Sequence, residues 1–109
     1  MDPQIKKGIL DICVLKCLST NDLYGYGIIK EISPYIKISE STLYPILRRL
    51  ELSDCLTTYT EVHDGRLRKY YKITDDGKQK LKQFIKDWPE LDKIYKYILG
   101  GKSWKRKNS

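Results

Sequence analysis

The sequence has 109 residues, which is enough for one domain with a modest hydrophobic core. Its net charge of +7 favours an anionic partner, nucleic acid ahead of an anionic membrane surface. There is no apolar run as long as a membrane span and no basic start typical of a secretory signal. The odd number of cysteines, three, fits a reducing compartment and not a disulfide scaffold. We therefore expect a cytoplasmic protein without a membrane partner.

The N-terminal segment predicts a mostly buried amphipathic helix over residues 5–19, where apolar side chains recur at helical spacing. Lys6 and Lys7 make its first turn basic, and positive charges there gain nothing from the helix dipole unless that end of the helix meets phosphate. The alternative is that both lysines are simply solvated. Cys13 and Cys17 lie one turn apart on the apolar stripe. Buried thiols are the better interpretation there, so we expect no metal and no cofactor.

A turn at residues 19–22 precedes a second predicted helix, which opens at Tyr24 and stops at Pro34. Gly25 and Gly27 match neither of the glycine-rich phosphate-binding motifs, and close packing of one helix against another explains them better. An extended link over residues 36–38 then leads into a third helix. The pair of helices is a helix-turn-helix candidate.

The third predicted helix, within residues 39–52, has one apolar stripe and one polar face. The stripe faces a core and comprises Leu43, Ile46, Leu47 and Leu50. Ser39 or Ser41 can cap the helix. The opposite face carries Ser41, Thr42, Tyr44, Arg48 and Arg49, a set that suits a DNA major groove, with hydroxyls toward bases and arginines on the backbone. Pro45 predicts either a helix starting near it or, as we expect, a looser first turn with a kink.

The next segment predicts a β-hairpin. Residues 56–62 have strand composition, the tip His63-Asp64-Gly65 contains a strong hairpin turn signal, and no acidic residue occurs from Gly65 to Ile73. One face of the second strand would carry Arg66, Arg68, Tyr70 and Lys72. A basic hairpin after a helix-turn-helix is the layout of a winged helix, with the wing on DNA. Alternatively, the cations of the hairpin protect an exposed sheet edge against pairing with another strand.

Three blocks resemble the signature of PadR-type transcriptional regulators: residues 23–29 (LYGYGII), 42–51 (TLYPILRRLE) and 65–74 (GRLRKYYKIT). The resemblance covers residues 5 to 99. With a single C-terminal helix, the chain is similar to the compact branch of the family. It implies a bacterial winged-helix repressor that dimerises through its C-terminal helix. It also implies that Ser41, Thr42, Tyr44 and Arg48 lie on the recognition helix, and residues 66–69 on the wing.

The C-terminal segment predicts a helix that Thr74 caps and the glycines at 100 and 101 end. Pro89 should bend or break it. Its heptad-like stripe is longer than a small core can cover, so we expect a dimer interface formed by Leu81, Phe84, Ile85, Trp88, Leu91, Tyr95 and Ile98. Trp88 lies beside the proline on this stripe, and its position predicts a site for a flat aromatic effector between the subunits. An almost equal alternative is that the two indoles pack tightly and fill the interface.

These patterns predict an α+β, mostly α protein: a winged helix-turn-helix over residues 1–73, a dimerisation helix over 74–101 and a disordered basic tail over 102–109. The expected partners are an operator in double-stranded DNA, a second copy of the chain and a small aromatic effector. The predicted DNA-binding residues are Lys6, Lys7, Ser39, Ser41, Thr42, Tyr44, Arg48, Arg66, Arg68 and Lys69. With one histidine and no paired catalytic groups, an enzyme is not expected. We predict a dimeric sequence-specific repressor; the alternative is a winged-helix module for protein contacts.

Overall fold

The computed structural model describes residues 1–100, which form four α-helices and a three-stranded antiparallel sheet. In chain order the elements are α1 (Pro3–Leu18), β1 (Leu23–Tyr24), α2 (Gly25–Ile32), α3 (Glu40–Leu52), β2 (Leu56–His63), β3 (Arg66–Ile73) and α4 (Asp75–Ile98). The expected α+β winged-helix class is confirmed. The predicted tail, residues 102–109, lies outside the described residues.

The core lies between α1, α2, α3 and the inner face of the sheet. Its buried apolar side chains include Leu10, Val14, Leu15, Leu18, Ile28, Ile32, Leu43, Ile46, Leu47, Leu50, Leu56, Tyr71 and Ile73. All four apolar residues of the stripe predicted for the third helix are among them, because they recur on one side of α3.

Helix α1 begins two residues earlier than predicted. Asp2 caps it by accepting a hydrogen bond from the backbone N–H of Gln4 at 2.8 Å, and Pro3 occupies the first helical position, where its missing N–H costs nothing. Lys6 therefore lies beyond the first three helical positions. The expectation that the helix is mostly buried is wrong at this end, since Ile5 is 59% exposed.

The sheet contains a strand that the sequence did not predict. The two residues of β1 pair with β3, Leu23 opposite Tyr71 and Tyr24 opposite Tyr70, so that the strand order is β1-β3-β2. The two-residue segment is too short for an alternating pattern to reveal it. Tyr24 ends this strand and is also the N-cap residue of α2.

Strands β2 and β3 form the predicted hairpin in full register from Leu56 opposite Ile73 to His63 opposite Arg66. The two connecting residues, Asp64 and Gly65, have φ angles of 51° and 75°. Positive φ at both positions is what a type I′ turn requires, so the Asp-Gly turn signal is confirmed.

Neither proline interrupts its helix. Pro45 lies inside α3, which is already helical from Glu40, and Pro89 lies inside the continuous α4. The expected loose first turn of α3 and a break at Pro89 are therefore wrong, whereas a bend of α4 at Pro89 stays a prediction. Each proline loses one backbone hydrogen bond, but in α3 the neighbouring Leu43, Ile46 and Leu47 are buried on the same helix, which offsets that cost. Helix α4 ends at Ile98, and its C-cap residue Leu99 directly precedes Gly100, in agreement with the predicted end.

Candidate nucleic-acid interface

The start of α3 presents a connected group of hydroxyls. The Ser39 side chain is the N-cap and accepts a hydrogen bond from the backbone N–H of Thr42 at 3.3 Å. Its Oγ also lies 3.0 Å from Ser41 Oγ and donates to Thr42 Oγ1 at 3.1 Å. All three side chains are exposed. They form a small polar surface at the positive end of a helix, able both to donate and to accept hydrogen bonds.

Tyr44 lies one turn further along α3 and packs over the start of α2. A Cβ atom on Gly25 would come within 2.5 Å of the Tyr44 hydroxyl oxygen, so only glycine allows this approach. The helix-packing interpretation of Gly25 is confirmed. Tyr44 is nevertheless 46% exposed, and the rest of its ring faces a cleft beside the wing.

That cleft separates α3 from β3 and has a volume of about 290 Å³. It is lined by Tyr44, Arg48, Glu51, Lys69 and Tyr71. Lys69 Nζ lies 5.5 Å from the centre of the Tyr71 ring, while Glu51 Oε2 accepts a long hydrogen bond of 3.5 Å from Thr58 Oγ1. Burial raises the pKa of Tyr71, with smaller effects from Tyr44 and Glu51, so its phenol is neutral. With two cations, Arg48 and Lys69, against the single carboxylate of Glu51, the lining of the cleft is net positive and can hold an anionic oxygen.

The two arginines of α3 have different roles. Arg48 is exposed at the cleft, whereas Arg49 forms an ion pair with Asp11 of α1. Asp11 is only 9% exposed, so its carboxylate depends on that partner. The expectation that both arginines belong to the outer face is wrong for Arg49, because a buried acid on the neighbouring helix draws it inward.

The cations of the wing lie on both faces of β3. Arg66 is exposed next to the hairpin turn, and Arg68 lies on the outer face with its guanidinium carbon 4.4 Å from the centre of the Tyr24 ring. Lys69 lies on the inner face, beside Arg48 in the cleft. The predicted alternation along this strand is therefore present, and it separates Arg68 from Lys69.

The outer face also carries a row of tyrosines that sequence reasoning missed. Tyr59 and Tyr70 stack with ring centres 5.5 Å apart, and Tyr70 meets Tyr24 edge-on at 5.8 Å. The Tyr59 hydroxyl donates to Asp22 Oδ2 at 2.7 Å, and this hydrogen bond raises the pKa of Tyr59 to about 12. The Tyr59–Tyr70 pair follows from the register that the Asp-Gly turn sets in the hairpin. The contact with Tyr24 depends on the pairing of β1 with β3, which no local signal shows.

The structure does not bring the lysines of α1 together with the hydroxyls of α3. Lys7 precedes Asp11 by one helical turn, and Asp11 contacts Arg49 near the C-terminal end of α3, far along the helix from Ser39. Within residues 1–100 neither Lys6 nor Lys7 forms a side-chain hydrogen bond or ion pair with α3 or the wing.

Helix α4 leaves its apolar stripe uncovered from its middle onward. Leu81 and Phe84 are half-buried, and Leu81 packs against the core. The following members of the stripe are exposed: Ile85, Trp88, Leu91, Tyr95 and Ile98. Trp88, 51% exposed, lies 5.7 Å from Phe84 between ring centres. None of the helices in the described part of the chain has the length and hydrophobicity needed to span a membrane.

Known proteins are similar to this chain in sequence and in fold. The family model described as the transcriptional regulator PadR-like family matches residues 14–83. Transcriptional regulator Rv3488 of Mycobacterium tuberculosis is 30% identical over 101 residues, covering 92% of each chain. The crystal structure of a PadR-like transcriptional regulator from Bacillus cereus matches with a TM-score of 0.77 and 29% identity, over 91% of this chain and 99% of that one.

A further solved structure is of Bacillus subtilis PadR in complex with operator DNA. It matches with a TM-score of 0.66 and 27% identity, over 71% of this chain and 46% of that one. The matching family model and the Mycobacterium tuberculosis relative are both described as transcriptional regulators. The chain therefore belongs to the PadR-like family of transcriptional regulators.

Proposed function

We propose that this regulator is a homodimeric repressor that binds a two-fold symmetric operator with the N-terminal half of α3 in the major groove. The observation that carries the proposal is the exposed hydroxyl group of Ser39, Ser41 and Thr42 at the start of a helix whose other side is fully packed. Short hydroxyl side chains at that end can approach base edges closely. The related PadR of Bacillus subtilis was crystallised with its operator, which supports the same use of the fold here.

The cleft between α3 and the wing supports a contact to the DNA backbone. Arg48 and Lys69 line it together and are both exposed, so one phosphate can meet both cations. Arg66 is next to the hairpin turn, where it can reach a neighbouring phosphate or the minor groove. We assign Tyr44 a mixed role, because its hydroxyl packs on Gly25 while its ring borders the cleft.

Dimerisation through α4 is supported by the uncovered stripe. Exposed apolar side chains recur over the second half of the helix, on the side that continues from the half-buried Leu81 and Phe84. A stripe of this length on a small protein favours burial against a second chain. A two-fold pair would present two copies of α3 to the two halves of an operator.

Repression that a ligand relieves is the finer part of the proposal. Trp88 is half-exposed on the stripe, one residue before Pro89. A gap walled by this indole and its symmetry mate would suit a flat aromatic compound through stacking and apolar burial. Binding there would change the angle between the two wings and so the spacing of the two α3 helices.

The experiment compares base-reading and backbone-binding variants on a DNA fragment selected by the purified protein. Thr42→Ala and Ser41→Ala should each lower affinity for the selected fragment about tenfold, as expected for loss of one base contact of roughly 1–3 kcal/mol, and leave binding to random duplex nearly unchanged. Lys69→Met should weaken both and reduce the salt dependence.

Thr57→Ala is the matched control, since Thr57 is an exposed hydroxyl on the outer face of β2 opposite Lys72. It should bind like the wild type. If the wild-type protein shows little affinity for duplex DNA at low salt, the proposed function is wrong and the basic face serves a protein partner instead. Equal effects of the Thr42 and Lys69 changes on both DNAs would refute the division of roles.

A further inference from the structure

Two neighbouring cations of the wing cannot serve the same stretch of DNA backbone. Arg68 and Lys69 are consecutive in β3, and consecutive strand residues point to opposite faces of the sheet. Lys69 borders the cleft with Arg48, whereas Arg68 lies over the ring of Tyr24 on the outer face. A phosphate bound in the cleft is therefore on the face of the hairpin opposite to Arg68, and Arg68 cannot contact it.

The Arg68 contact joins the wing to the start of the helix-turn-helix. Tyr24 pairs with Tyr70 of β3 and directly precedes α2, so the guanidinium bridges from the hairpin to the residue that caps that helix. The 4.4 Å separation from the ring centre is well within the range of a cation–π interaction. Arg68 is half-buried, unlike the exposed Arg66 and Lys69, which fits a side chain that is already engaged.

The tyrosine row makes this contact part of a continuous structure across all three strands. Tyr59 of β2 stacks on Tyr70 of β3 with ring planes 13° apart, and Tyr70 meets Tyr24 of β1 at 67°. Asp22, just before β1, accepts the hydrogen bond from Tyr59. Tyr59 and Tyr70 thus cover one another, and the guanidinium covers Tyr24, so these faces are occupied by the protein itself. The row holds the wing to the body of the domain.

We propose that Arg68 is a positioning residue that fixes the wing against Tyr24, and so sets where Lys69 meets the DNA, without neutralising a phosphate itself. This inference rests on the proposed DNA-binding function and adds to it a division of labour between adjacent cations. Its consequence is specific: removing Arg68 changes how well the wing is placed, while removing Lys69 changes how many counterions DNA binding releases.

The two roles differ in their salt dependence. A cation that neutralises a phosphate contributes about 0.9 to the slope of log K against log salt for each protomer bound, and a positioning residue contributes nothing to it. Loss of an exposed cation–π contact should lower affinity about two- to fivefold at every salt concentration. Lys69→Met should instead produce a loss that shrinks as salt rises.

The test measures binding of a short random-sequence duplex by fluorescence anisotropy between about 50 and 200 mM salt. Arg68→Met keeps the aliphatic stem and removes the charge, and Lys69→Met is its matched control on the other face. Tyr24→Leu removes the aromatic ring, whereas Tyr24→Phe keeps it. We expect Arg68→Met and Tyr24→Leu to lower affinity equally without changing the slope, the double variant to be no worse than either, and Tyr24→Phe to resemble the wild type.

An Arg68→Met slope flattened as much as that of Lys69→Met, with or without the Tyr24 ring, would overturn the proposal. The same variants are also unfolded in urea, where Arg68→Met and Tyr24→Leu should show a coupling of about two- to fivefold in the unfolding constant. Absence of coupling overturns the positioning role even if the protein binds no DNA. Failure of the wild type to bind duplex, with the coupling present, would instead count against the proposed function alone.

Discussion

Replacing Gly77 with alanine should destabilise the junction between α4 and the winged-helix core. Gly77 is buried in the first turn of α4, where a Cβ atom would overlap the backbone carbonyl oxygen of Cys55 and lie 2.7 Å from Ile73 Cγ1. The same carbonyl accepts a hydrogen bond from the N–H of Thr74 at 3.0 Å, and the Thr74 hydroxyl donates to the carbonyl of Asp54 at 2.6 Å. The clashing atom is therefore held in place and has little room to move.

The change in the free energy of unfolding is the sum of two destabilising terms and one stabilising term. Overpacking against a backbone atom costs about 1–3 kcal/mol. Strain on the hydrogen bond from Thr74 adds about 1 kcal/mol. The better helix propensity of alanine returns about 1 kcal/mol. The expected net loss is about 1–3 kcal/mol, which lowers the urea midpoint by about 1 M for a protein of this size.

Gly8→Ala is the control, because nothing lies within 4 Å of the Cβ it would add to α1. That change should stabilise the protein by about 0.5–1 kcal/mol through helix propensity alone. Both variants are unfolded in urea at one fixed protein concentration, since association would otherwise shift the midpoint. A Gly77→Ala protein as stable as the wild type, or shifts of the same sign for the two variants, would refute this reasoning.

Three further predictions concern α4 and the outer face of the sheet. Leu91→Asp should convert the proposed dimer to monomer or unfolded chain in sedimentation, since it would bury a charge in the interface at a cost of several kcal/mol, and a stable mutant dimer would exclude the proposed interface. In a Trp104→Phe protein, flat aromatic compounds should quench Trp88 and lower DNA affinity together; quenching without a change in affinity would argue against an effector site. The pKa of Tyr59, raised to about 12 by the hydrogen bond to Asp22, means that this contact stabilises the fold fully below about pH 10 and that its contribution declines as pH rises toward 12. Asp22→Asn removes the carboxylate and should therefore return the titration of the Tyr59 phenol, followed by ultraviolet absorbance, toward the ordinary tyrosine pKa, while the pKa of Tyr71 stays raised by burial.

Local signals in the sequence were sufficient for most of the fold. The Asp-Gly turn, the Ser39 and Thr74 caps and the buried stripe of α3 were all predictable, because each depends on residues close together in the chain. Pro45 misled the prediction, since its local cost was weighed without the buried stripe of α3 that outweighs it. Helix α4 also continues through Pro89, although the side chains around that proline are exposed, and the packing of the described residues does not explain this. Strand β1 was missed for the opposite reason: two residues become a strand only through their partner in β3.

The candidate site was predictable by residue type but not by arrangement. The sequence placed Arg48 and Arg49 on one polar face, yet only the fold shows that Asp11, 38 residues away along the chain, holds Arg49. It likewise placed Arg68 and Lys69 on one basic wing, although the positions of α3 and of Tyr24 give the two faces of β3 different neighbours. Helical and strand periodicity identify which side chains share a face; they carry no information on what that face meets.

Helix α4 is attached to the core only near its first turns, so a small tilt there displaces its far end by several ångströms. It has 24 residues, and the core holds it around Gly77 and Leu81, near one end. A tilt of about 5° at Gly77 moves the far end near Ile98 by about 3 Å, because a helix rises about 1.5 Å per residue. Operator half-sites read by paired helices are separated by about 34 Å, so a displacement of that size is close to one base-pair step. In the proposed dimer, joined through the far half of α4, small changes in the packing of Gly77 would therefore change the distance between the two copies of α3.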